Sequence, residues 1–549
     1  MKHFPSGGRR LFMLLLALWG MGTVQAQSSN DTSFLSMLGE LREATYSDKE
    51  NIVERLSQTG HPSVRVVLTA FLEDRLYFRN RDQKVFIVKS AEGDPRNLID
   101  PLSLKDAGSA PEDSLTRIGT NNGLRRTLRT TVAHFGLSSA DAAVRLDSVR
   151  GMIRSLDDAN VVLLRERLGV ETNSSVKKEI ATGLALAALA DSETKGRLDA
   201  IATLSQSVSQ DVRNRLALLL DKSPDGSFVE RDEKVQSAAA SAVATIDQWR
   251  TFYSGIETLF FGLSLGSVLV LIAIGLAITF GVMGVINMAH GELMMLGAYT
   301  TYIVQVAMPG HIGISILAAI PAAFVVAGLT GVLLERTIIR FLYGRPLETL
   351  LATFGVSLIL QQSVRSIFSA LNRAVVTPDW MSGSLQLNDA LAITYNRLYI
   401  VIFTLIVFAI IQVVLKRTRI GLEIRAVSQN RAMAKAMGIR TEWVDAMTFG
   451  LGSGIAGVAG VALSQLTNVG PNLGQAYIID SFMVVVFGGV GNLWGALIGG
   501  MLMGIVNKLL EPYSGAVLAK IFVLVALILF IQIRPRGLFP QTGRSAEDK

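Results

Sequence analysis

Asn287, His290 and Glu292 stand within six positions of one another in an otherwise apolar stretch, Gly281-Val-Met-Gly-Val-Ile-Asn287-Met-Ala-His290-Gly291-Glu292. An amide, an imidazole and a carboxylate can donate to, accept from or exchange protons with a small polar solute. Hydrocarbon offers these groups no water, so at bilayer depth they belong where they line a cavity or a protein interface. The chemistry they point to is passage of a solute through a membrane, with no bond made or broken.

A second glycine-rich interruption reads Phe487-Gly488-Gly489-Val-Gly491-Asn492-Leu-Trp494-Gly495-Ala-Leu-Ile-Gly499-Gly500. Paired interruptions in the two halves of a membrane domain point to a substrate site near the midplane, because unwound backbone can hydrogen-bond a solute. Glycine also serves close helix packing, and Gly452, Gly454, Gly457 and Gly460 are read in that way. A third motif is the basic segment from Arg417 to Ile439. Its Ala-rich centre favours helix, and Gly438 is placed to end that helix. It could dock in a groove of another protein, or its cations could serve only to fix topology and to meet anionic lipid.

Other chemistry finds no support. His61 and His134 are isolated, with no metal-ligand spacing around them, so no metal site, cofactor or catalytic residue is expected. No G-x-x-x-x-G-K-[ST] loop occurs, so ATP hydrolysis would have to reside on separate subunits. The net charge of +7 sits largely in loops between apolar segments, where membrane topology explains it, and no nucleic-acid role is expected.

The elements that must position these groups are helices. Apolar segments fall near 258–280, 291–308, 312–334, 348–369, 397–415, 443–466, 479–490, 493–509 and 516–533. Arg336, Arg340 and Arg345, the cations between Lys416 and Arg440, and Arg534 with Arg536 fall in loops of one parity. That assigns them to the cytoplasmic side of the membrane.

Residues 1–26 have the grammar of a secretory signal: basic Lys2, Arg9 and Arg10, a short apolar core, and Val24-Gln25-Ala26 as a cleavage site. Residues 27–250 are then a periplasmic helical domain. Cysteine is absent, so its stability must rest on apolar packing. Lys84–Lys89 reads as a short strand. His61-Pro-Ser-Val64-Arg65, Ser174-Ser-Val176-Lys-Lys178 and Ser209-Gln-Asp-Val212-Arg213 each open an apolar helical run, a pattern resembling HEAT-like repeats beside the plainer alternative of an irregular helical domain. The expected fold is all-α, with a polytopic helical permease domain over 251–540 and a cytoplasmic tail over 541–549.

From Phe252 to Pro540 the chain resembles the permease subunits of branched-chain amino acid type ABC importers, a family that also serves urea and simple amides. Ile286–Glu292 with Gly297-Ala-Tyr299, Thr418-Arg-Ile-Gly421 through Arg425-Ala426 to Gly438-Ile439, and Gly488–Gly500 carry the likeness. The resemblance implies a coupling loop for the ATPase at Gly421, Arg425, Ala426, Asn430, Ala434 and Gly438. It also implies a second permease subunit, two ATPase subunits and a periplasmic solute-binding protein as partners. The exported N-terminal half is associated with the urea-type permease subunit, so urea, a small neutral solute, is the first expectation for cargo. A branched-chain amino acid is the alternative, and a proton-coupled carrier or channel titrating at Glu292 and Asp480 is a further one. The expected substrate path comprises Asn287, His290, Glu292, Gly488, Gly489, Gly491 and Asn492, with His290 and Glu292 holding the broken helix open and Glu292 accepting N–H bonds of a helix start.

Overall fold

The computed structural model describes residues 31–89, 95–154, 156–222 and 228–539. The expected signal segment over 1–26, with its cleavage site, and the tail over 541–549 lie outside them. The chain divides into two compact units, residues 1–207 with 211–246, and residues 208–210 with 247–549.

The first unit is mainly helical. After a helix over 31–40 come α1 (Tyr46–Gln58) and α2 (Val64–Leu72). Strands β1 (Leu76–Arg79), β2 (Val85–Val88), β3 (Arg96–Ile99), β4 (Asp106–Ala110) and β5 (Leu115–Arg117) then form an antiparallel sheet in the order β4-β3-β2-β1-β5. Sequence reasoning anticipated only β2. That strand is apolar throughout because its two faces serve different cores: Val85 and Ile87 join the helices, whereas Phe86 and Val88 pack with Tyr77 and Leu98. The flanking strands are short and polar on one face, which left them without a periodic signal.

Helices α3 (Asn122–Leu137), α4 (Ala142–Arg154), α5 (Asp158–Val170), α6 (Ser174–Ala188), α7 (Thr194–Leu204) and α8 (Gln210–Leu218) follow. Asn121, Asp157 and Asn173 cap the starts of α3, α5 and α6 through their side-chain oxygens, satisfying N–H groups that have no intrahelical partner. Helix α4 packs against both α3 and α6, and α6 also against α5 and α7. The three repeated openings occupy equivalent places: Val64, Val176 and Val212 are all buried in a first helical turn, and Leu68, Ile180 and Leu216 are buried one turn later.

The second unit begins within α9 (Glu233–Met283) and continues through α10 (His290–Ala307), α11 (Ile312–Thr337) and α12 (Pro346–Phe368). A hairpin of β6 (Ser384–Asn388) and β7 (Leu391–Thr394) precedes α13 (Tyr395–Arg417), α14 (Arg419–Gln429), α15 (Arg431–Ala436), α16 (Thr441–Ser464), α17 (Leu473–Gly488) and α18 (Leu493–Ile533). Six of these helices are long and apolar enough to cross a bilayer. Helix α18 contains a non-helical Gly515 at φ 77°, so it is two helices meeting at the gap expected between 509 and 516.

Glycine sets how closely the bundle packs. A methyl group on Gly297 would lie 2.0 Å from the Gly457 carbonyl oxygen, one on Gly460 would lie 2.0 Å from that of Met294, and one on Gly452 would lie 2.7 Å from that of Gly275. The glycines of α16 therefore let its backbone touch α9 and α10, as the packing reading expected. The basic loops converge at one end: Arg340 reaches Glu442 at 3.0 Å, and the Arg431 guanidinium lies 4.1 Å over the Tyr343 ring. At the opposite end Arg373 and Val469 exchange backbone hydrogen bonds, and Gln305 bonds both N–H and C=O of Val376.

Candidate functional site

Gly284 ends α9 with φ +66°, and residues 284–289 turn back along the helix that precedes them. His290 shows the extent of the return, because its Nε2–H donates to the Ile272 carbonyl at 3.0 Å. Ile272 lies eleven residues, about 16 Å of helix, before Met283. Room for the ring comes from Gly275, where a Cβ would sit 2.9 Å from His290 Cε1. Helix α10 thus starts deep within the bundle.

Helix α12 supplies the opposing wall. Thr349, Thr353, Ser357 and Gln361 recur every four residues and are all buried, which makes one polar stripe along an apolar helix. Thr353 receives the Met288 N–H at 3.1 Å and donates to the Ile286 carbonyl at 3.4 Å. Glu292 Oε1 accepts from Ser357 Oγ at 3.0 Å and Gln361 Nε2 at 2.7 Å. The carboxylate thus takes side-chain donors from α12 in place of the expected N–H bonds of a helix start. The stripe was legible as T-x-x-x-T-x-x-x-S-x-x-x-Q in the sequence, and sequence reasoning passed over it.

Three polar atoms of this cluster face no partner: Asn287 Nδ2, His290 Nδ1 and Glu292 Oε2. All three residues are almost fully buried. Asn287 Oδ1 is occupied, accepting from the Ala289 N–H at 3.0 Å, so its free capacity is a donor. That of Glu292 is an acceptor. A buried unpaired donor or acceptor costs about 1–3 kcal/mol, so this arrangement is one that a polar ligand would relieve.

The start of α10 meets the start of α17. A Cβ on Gly291 would lie 2.4 Å from the Gly474 carbonyl oxygen, and one on Gly474 would lie 2.4 Å from the carbonyl carbon of Gly291. Gly474 is fourteen residues, about 21 Å, from the far end of α17 at Gly488. Two helix N-termini, each with a partial positive charge, therefore come together inside the bundle. The mate of the first interruption is thus the stretch 465–472, whose Gly470-Pro471-Asn472 is turn chemistry.

Gly488, Gly489, Gly491 and Asn492 occupy another place, the turn between α17 and α18. Gly489 and Gly491 have φ of +101° and +77°, and Asn492 Oδ1 accepts from the N–H groups of Trp494 and Gly495, capping α18. Leu538 N–H donates to the Phe487 carbonyl at 2.8 Å. A cavity of about 290 Å³ joins Asn492 to Arg425, Ser428 and Gln412. This turn lies at the basic end, beside the expected coupling loop.

That loop forms two short helices, where one was expected. Thr418 caps α14, and Asn430, at φ −157°, caps α15 through Met433 N–H. Gly421 permits the turn out of α13, because a Cβ there would lie 2.3 Å from the Leu415 carbonyl oxygen. Arg425 donates to that same carbonyl. Ala434 is buried, Ala426 is half-buried, and Gly438 ends the segment at φ +86°. Arg431 holds α15 to α16 through both oxygens of Asp445. Leu422, Met433 and Met437 project outward, each at least 60 % exposed.

Residues 258–532 match the family described as branched-chain amino acid transport system / permease component. The high-affinity branched-chain amino acid transport system permease protein BraD of Pseudomonas aeruginosa is 31 % identical over 306 residues, which are 54 % of this chain and 98 % of BraD. The permease LivH of Escherichia coli is 32 % identical over the same length, covering 97 % of that protein. The ribose import permease RbsC of Escherichia coli is 24 % identical, covering 54 % of this chain and 93 % of its own. No solved structure matches.

Proposed function

The chain belongs to the family of branched-chain amino acid permease components, and from that premise we propose that it is the translocating subunit of an ATP-driven importer of branched-chain amino acids. The observation that carries this reading is the pair of unmatched buried groups, Glu292 Oε2 and Asn287 Nδ2, beside two helix N-termini. A zwitterion offers what they lack: its ammonium group suits the free carboxylate oxygen, and its carboxylate suits the amide donor and the helix starts. Urea has no charge to answer either. The related permeases are named for amino acids, so the alternative cargo of the sequence reading is better supported than urea.

In this mechanism cargo delivered by a solute-binding protein from the non-basic side meets the α10–α17 junction. A second permease completes the path. Two ATPase subunits act at α14 and α15, where the outward Leu422, Met433 and Met437 offer apolar contact, and the basic loops lie in the cytoplasm. Gly421 and Arg425 fix α14 to the end of α13, so force on the loop reaches the bundle. The proton-coupled alternative is weakened at Asp480, which is bound to Lys520 at 2.9 Å.

The test is uptake into vesicles containing the chain with its permease, ATPase and binding-protein partners. Labelled leucine should accumulate only with ATP, and urea should not compete. Accumulation of urea in place of leucine would return the cargo to urea, and accumulation by the isolated chain on a proton gradient would overturn the importer reading.

A further inference from the structure

The first unit carries a basic groove that transport by the second unit does not use. It is a cavity of about 770 Å³ walled by α2, α3 and α4, with Arg65, Arg126, Arg129 and Arg154 at its rim. Its floor includes Val132 and Val144. Other arginines of this unit do have carboxylate partners: Arg145 lies 2.9 Å from Glu171 and Arg197 lies 2.6 Å from Glu230, while at the groove itself Arg125 is paired with Asp74. Among the described residues, Arg65, Arg126, Arg129 and Arg154 have no carboxylate partner, and Asp147 is the one acid lining the groove. Four unpaired cations face a single carboxylate.

Concentrating unpaired guanidinium groups around a concavity costs self-repulsion, and a facing anion removes it. Guanidinium forks match carboxylates in bidentate geometry. Three helices contribute cations, so one isolated carboxylate would leave most of them unanswered. We propose that this groove is a binding site for a polycarboxylate, a ligand presenting several carboxylates at once over a partly apolar floor. Its source is either a small di- or tricarboxylic acid or an acidic segment of a protein.

The test uses the full-length chain in nanodiscs of a zwitterionic phospholipid, titrated calorimetrically with citrate and, separately, with a hexaglutamate peptide. Saturable binding of at least one probe is expected, weakened about tenfold or more in Arg126→Ala/Arg129→Ala, since that variant removes charge-assisted hydrogen bonds to the ligand. Asp147→Asn should strengthen binding by removing the opposing charge. Citrate binding assigns a small acid as the source, and peptide binding without citrate binding assigns a protein segment. Failure of both probes to saturate at millimolar concentration, or equal affinity in the double arginine variant whose fold is intact by circular dichroism, overturns the proposal.

Discussion

Glu292 concentrates the functional reading in one side chain, because one oxygen is satisfied by Ser357 and Gln361 while the other faces nothing. Glu292→Gln keeps the shape and removes the charge. In the reconstituted importer this variant should lower ATP-dependent leucine uptake about tenfold or more, while ATP hydrolysis by the partner subunits persists. Unchanged leucine uptake would count against the zwitterion site. Glu171 makes the contrasting case of a carboxylate with every need met. It accepts from Arg145 and Arg167 and from the N–H groups of Thr172 and Asn173. The Arg145 hydrogen bonds, with the backbone and Arg167 bonds behind them, hold its carboxyl well below the usual carboxylate range despite burial. A depressed folded-state pKa contributes stability that is present above the unfolded-state pKa and is lost as pH falls. Chemical denaturation of the first unit should show stability falling from about pH 5 downward, and Glu171→Gln should flatten that dependence while lowering stability at pH 7 by about 3–5 kcal/mol.

Glycine decides the geometry of elements. Gly297 brings α10 into backbone contact with Gly457 of α16, and no side chain fits that gap. Gly297→Ala must push the helices apart, at an overpacking cost of about 1–3 kcal/mol, and a lowered thermal midpoint in detergent would show it. At the basic end the Arg431–Asp445 pair fastens α15 to α16, with Asp445 almost fully buried. Arg431→Ala leaves that carboxylate unpaired and frees α15, so uptake should fall several-fold per ATP hydrolysed. The double variant Arg431→Ala/Asp445→Ala should recover fold stability but not coupling, as thermal unfolding and paired uptake and ATPase assays would reveal. The α12 stripe belongs to this scale too, since four polar residues one turn apart matter only through the face they share.

At the scale of the whole molecule the two units have separate cores. The clusters centred on Phe34, Val67 and Leu124, and on Ile201, Leu216 and Val235, draw on the first unit, and those centred on Ala273, Val484 and Ala459 draw on the second. BraD and LivH are covered over 98 % and 97 % of their lengths by 54 % of this chain. A chain lacking residues 31–222 should therefore retain a folded membrane unit, seen as a monodisperse species with a cooperative thermal transition in detergent. Aggregation of that variant would show that the second unit depends on the first.

Amino-acid order alone determined where the apolar helices run, because length and hydropathy settle that locally, and it determined the parity of the basic loops. It also exposed Asn287, His290 and Glu292, since polar side chains in an apolar run need no fold to stand out. Only the tertiary structure decided what those residues meet. The return of 284–289 beside Ile272, the α12 stripe that receives Glu292, and the meeting of Gly291 with Gly474 are contacts between residues 18 to 183 positions apart, which no local pattern encodes. The same holds for Asn492: its glycine-rich setting marks a break, but the depth of that break depends on where the neighbouring helices end.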